Sequence, residues 1–75
     1  MRNITHKIVG LGSSFNDDKR VEYLVRVPIR ISRNCADART LALKHLSVIN
    51  SNPVISSEIA KTSKVCFNIY IQVKD

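Results

Sequence analysis

Arg20 to Arg33 reads RVEYLVRVPIRISR, the longest run of alternating apolar and polar residues in the chain. Val21, Tyr23, Val25, Val27, Ile29 and Ile31 fall at every second position, so in an extended strand their side chains leave the same side of the backbone. That side predicts a core face. Arg20, Glu22, Leu24, Arg26, Pro28 and Arg30 take the other side, a mainly basic row of the kind that the solvated face of a one-sided antiparallel sheet carries. Pro28 lacks the N–H that a ladder needs, and the run is longer than the usual strand. The strand is therefore expected to lie at an edge or to bend near Pro28.

The flanking sequence supplies partners for this strand. Val65, Phe67, Ile69, Ile71 and Val73 alternate with Lys64, Cys66, Asn68, Tyr70, Gln72 and Lys74, which predicts a last strand with one apolar and one polar face. From Thr5 to Phe15 apolar residues fall on both faces. Val9, Leu11 and Phe15 are assigned to the core, and Gly10 and Gly12 mark a candidate bulge. Asn16, Asp17, Asp18 and Lys19 offer turn chemistry, so the first two strands are expected to form an antiparallel hairpin.

A helix is expected soon after Arg33. Asn34 is a good N-cap, and Asp37 adds negative charge where the helix dipole is positive. Cys35, Ala38, Leu41, Ala42, Leu46 and Ile49 form one stripe at 3.6 residues per turn. His45 projects toward the edge of that stripe. Pro53, at the end of Asn50-Ser51-Asn52-Pro53, stops the helix. The segment Val54 to Ser63 fits either a short helix starting at Pro53 or an irregular strand, and a short helix or loop is preferred. The expected fold is α+β: a small antiparallel β-β-α-β sheet with one amphipathic helix packed on one face.

Seventy-five residues allow a single domain, spanning 1–75, with a small core. Twelve Lys and Arg against six Asp and Glu give a net charge of +6, which attracts acidic partners, nucleic acid first among them. The N-terminus lacks the apolar run of a signal peptide and no segment approaches a membrane span, so a cytoplasmic protein without membrane contact is expected.

Catalytic and cofactor chemistry finds little to stand on. Gly10-Leu11-Gly12-Ser13-Ser14 lacks the Lys-Ser or Lys-Thr of a phosphate-binding loop and the helix start behind it. Cys35 and Cys66 form no CxxC pair and have no metal-ligand cluster nearby in sequence. Nothing in the sequence brings Cys66 together with His6 or His45, and no general acid and base pair can be nominated. No cofactor, no metal and no enzymatic activity are expected.

The polar sheet face is the candidate working surface. If the second and last strands are neighbours, Arg20, Arg26, Arg30, Lys64 and Lys74 share it with Asn68, Tyr70 and Gln72. Arg33 and Arg39 extend it around an edge. Cations neutralise phosphates and an exposed tyrosine can stack on a base. The expected function is stoichiometric binding of nucleic acid or of an acidic surface on a nucleoprotein complex. Leu24, Cys66 and Tyr70 on the same face leave a protein interface open as the alternative, an inhibitor or adaptor without direct nucleic-acid contact. In size, charge and strand order the outline is similar to small phage-encoded inhibitors, some anti-CRISPR proteins among them. That resemblance implies a compact non-catalytic domain acting on a protein target and carries no individual residue over. A homodimer through the first or last strand is also open.

Overall fold

A computed structural model describes residues 4–13, 19–62 and 64–74. The chain forms strands β1 (Thr5–Ser13) and β2 (Lys19–Pro28), a short 3-10 turn (Ile29–Ile31), helix α1 (Cys35–Ile49), and strands β3 (Val54–Thr62) and β4 (Cys66–Lys74). The four strands make one antiparallel sheet in the order β1-β2-β4-β3. The α+β class, the first hairpin pairing and the pairing of β2 with the last strand all follow the sequence reading. Phe15 and the turn residues Asn16, Asp17 and Asp18 lie outside the described residues.

The sheet buries one face under α1. Val21, Val25 and Val27 of β2 and Ile69, Ile71 and Val73 of β4 meet Ala38, Ala42 and Leu46 of α1 in a single core. Two alanines at the contact let the helix come close to a β-branched sheet surface. Asn34 caps α1 as expected: its side-chain oxygen accepts from the Asp37 backbone N–H at 2.9 Å. The Asp37 carboxylate reaches back to the Arg33 backbone N–H at 3.0 Å, a reciprocal pair that satisfies two donors at the helix start. Cys35 and Ile49, the outermost members of the expected stripe, are exposed because they lie beyond the part of the helix that touches the sheet.

Three expectations need correction. The segment after Pro53 is a strand, β3, and not a short helix or loop. Its pairing with β4 shifts between Val54 and Ser56 and again between Ile59 and Lys61, so two bulges break the period-two pattern by which a strand is recognised. The second correction concerns β1. The register sets His6 opposite Val25 and Ile8 opposite Tyr23, then shifts before Gly10 pairs with Glu22 and Leu11 with Val21. The apolar set thus changes phase at the bulge, Ile4 packs against the core, and Val9 is 40% exposed instead of buried.

The third correction lies in β2. The bend expected near Pro28 is present, since the strand ends there, but the edge alternative fails because β2 runs between β1 and β4. Beyond it the chain winds into the 3-10 turn, which takes Ile29 out of the alternation and leaves it exposed. Leu24 falls on the polar face yet is only 5% exposed. Its register neighbours there are Lys7 and Tyr70, a long aliphatic stem and a ring of the kind that cover an apolar side chain in the middle of a sheet.

Candidate nucleic-acid interface

The end of β2 builds the site. Pro28 has no N–H to extend the ladder, so its Cα pairing with Cys66 is the last of the register and the backbone turns. The Ile29 N–H then donates to the Val65 carbonyl at 3.0 Å, which ties the turn to the residues entering β4. The Ser32 N–H donates to the Ile29 carbonyl at 3.2 Å and closes the turn. This stitching brings Arg30 and Lys64 near the same rim although they are far apart in sequence.

Between them lies an open concavity of about 640 Å³. Pro28, Ile29, Val65 and Cys66 supply its apolar lining, and Arg26, Arg30 and Lys64 its charge, with Thr5 of the neighbouring strand completing the wall. None of these lining residues is acidic. Thr5, Arg26 and Asn68 form one row across β1, β2 and β4, so a hydroxyl and an amide flank the arginine. Arg26, Arg30 and Lys64 are all exposed. The Cys66 thiol, on the same side, donates to Asn68 Oδ1 at 3.6 Å.

The remaining basic residues are dispersed. Arg20 pairs in register with Lys74 at the other end of the sheet, roughly 20 Å from Arg26 at the usual rise of a strand. Its Nη1 donates to Gln72 Oε1 at 3.4 Å, and its Nε is buried with no hydrogen-bond partner among the described residues. Tyr70 is half-buried between Leu24 and Glu58, so a carboxylate stands beside its ring. Glu22, opposite Gln72, adds a second carboxylate between the two basic ends. Arg33 sits in the turn before α1, and Arg39 is exposed on α1, which covers the opposite face of the sheet. The structure therefore gathers Arg26, Arg30, Lys64 and Asn68, keeps Arg20 and Lys74 as a separate pair, and leaves Arg33 and Arg39 outside the concavity.

Two features escape the sequence. Lys7 stands on the polar face opposite Leu24, a position hidden by the bulge in β1. On the other face His6 Nδ1 lies 2.7 Å from His45 Nε2, a contact between residues 39 apart that no local motif announces. The His45 pKa is lowered, first by burial of the ring and then by the charge of His6. The Cys66 thiol is on the polar side of the sheet and both imidazoles are on the helix side, so no thiol-imidazole pair forms between them.

No helix among the described residues is long and apolar enough to cross a membrane. Compared with protein-family models, with curated proteins and with solved structures, the chain gives no match in any of the three.

Proposed function

We propose that this chain is a small, cytoplasmic, non-catalytic binding protein that acts stoichiometrically on nucleic acid, alone or within a nucleoprotein complex. The observation that carries this reading is the grouping of Arg26, Arg30 and Lys64 around an apolar concavity with no acidic lining residue. Phosphates are neutralised at the rim while an unstacked base or sugar covers the apolar floor, with Pro28, Ile29 and Val65 standing where single-strand binding grooves place aromatic rings. Glu22 and Glu58 keep a polyanion from lying along the whole face and confine it to this end. The test is binding of the purified protein to labelled single- and double-stranded DNA and RNA between about 50 and 300 mM salt. Affinity that falls steeply and linearly on a log-log plot supports phosphate neutralisation. Binding already lost by about 150 mM counts against it.

A second reading, a protein-directed inhibitor or adaptor, draws on Val65, which is 74% exposed at the mouth of the concavity. An apolar side chain of a protein partner would bury it. Buried Leu24 is no longer available to that reading as an anchor. Recovery of one specific protein by the tagged chain from nuclease-treated lysate, and its loss in Val65→Asp, favours this alternative.

A further inference from the structure

His6 and His45 meet away from the basic concavity, and nothing in the proposed function uses them. His6 comes from an edge strand and is exposed; His45 comes from the helix and is half-buried. The two rings have centroids 4.8 Å apart and planes inclined by 56°, with His6 Nδ1 and His45 Nε2 turned toward each other. At 2.7 Å this is a hydrogen bond in which one nitrogen carries the proton and the other offers its lone pair.

The same arrangement suits a metal ion. Zinc–nitrogen bonds of about 2.0–2.1 Å at a tetrahedral angle separate two donor nitrogens by roughly 3.3 Å, so the nitrogens must part by about 0.6 Å and each ring tilt by roughly 35° to aim its lone pair at the ion, the bridging proton passing to the other nitrogen of its own ring. Both rings stand on regular elements, which fixes their approach. Lys44 lines the same hollow as His45 and Lys7 adjoins His6, while Tyr23 packs near the His6 ring at 6.2 Å. Glu22 and Glu58 belong to the other face of the sheet and Asp37 to the far end of the helix, so among the described residues no carboxylate stands beside the pair. Among the described residues no group of three or more His, Cys, Asp and Glu converges, so the remaining coordination positions fall to water.

We propose that His6 and His45 form a two-imidazole chelate for a borderline divalent transition-metal ion of the Zn²⁺ type. The site is independent of the nucleic-acid reading and stands or falls separately. The experiment is a calorimetric titration of the full chain with zinc sulfate at pH 7.4, paired with NMR of the imidazole resonances. Saturable binding of one ion per chain is expected, with the resonances of both histidines shifting together. His6→Ala and His45→Gln should each weaken binding roughly 100-fold, the loss that follows when a chelate becomes a single ligand. His6 is exposed, so its replacement leaves the fold intact and circular dichroism checks this. Zinc binding unchanged in both variants, imidazole resonances unmoved at saturation, or binding abolished instead by Cys35→Ser or Cys66→Ser would each overturn the proposal.

Discussion

His6 Nδ1 stands 2.7 Å from His45 Nε2, so β1 and α1 meet through two rings that cannot both be charged without repulsion. The folded pKa of His45 is lowered from 6.5. The unfolded chain therefore binds a proton more readily than the folded one, and stability rises with pH across that window. The contribution is complete above pH 6.5 and is lost as pH falls through the lower folded value. Urea midpoints measured at pH 7.5 and 5.5 should decline toward the acid side in the native chain. The part of that decline due to this pair should vanish in His45→Gln.

Leu46 is the largest fully buried helix residue facing the sheet. Leu46→Ala removes it from a core of few side chains, at an expected cost of about 2–5 kcal/mol. Ala42→Leu errs in the other direction: a buried alanine opposed to β-branched residues has no room for three more carbons, and overpacking costs about 1–3 kcal/mol. Denaturant unfolding followed by circular dichroism should show both losses, with the slope against urea unchanged while unfolding stays two-state.

At the start of α1, Asn34→Ala deletes the acceptor of the Asp37 N–H and frees one end of the reciprocal pair. About 1 kcal/mol should be lost. Asn34→Asp retains the acceptor and should restore most of it. Hydrogen exchange at the first helical amides reads the effect locally, where a global unfolding curve blurs it.

Glu58 stands opposite Tyr70 on the face that carries the basic residues. Its neutralisation in Glu58→Gln should strengthen nucleic-acid binding by less than about tenfold, an effect erased near 300 mM salt because exposed charges are screened over about 10 Å or less. Fluorescence anisotropy at two salt concentrations checks both halves of this expectation.

The parts of the fold that obey a single period were legible in the sequence. β4 keeps one apolar face from Phe67 to Val73, α1 carries its own cap and its buried stripe at 38, 42 and 46, and Pro28 marks where β2 stops. The parts that change phase were not. One bulge in β1 and two in β3 move apolar residues from one face to the other, so simple alternation misplaces Val9 in the core and hides the strand that follows Pro53. The site was legible only as a list of cations. Which of them converge depends on the Ile29–Val65 hydrogen bond that joins two distant segments, and on the helix carrying Arg39 to the opposite side of the sheet. The histidine pair has the same origin, since only the placement of α1 over the sheet beside β1 brings residue 45 to residue 6.

The most direct measurement compares two charge-matched variants in the salt series: Arg26→Ala with Lys64→Ala at the concavity, and Arg33→Ala with Arg39→Ala outside it. Each removes two positive charges, so the general field of the protein changes equally. The concavity variant should lose most of the affinity, with the log-log salt slope reduced by about one for each contact removed, while the other variant stays close to the native chain. Equal losses in the two variants would show that only net charge matters and would contradict a binding site built at the end of β2.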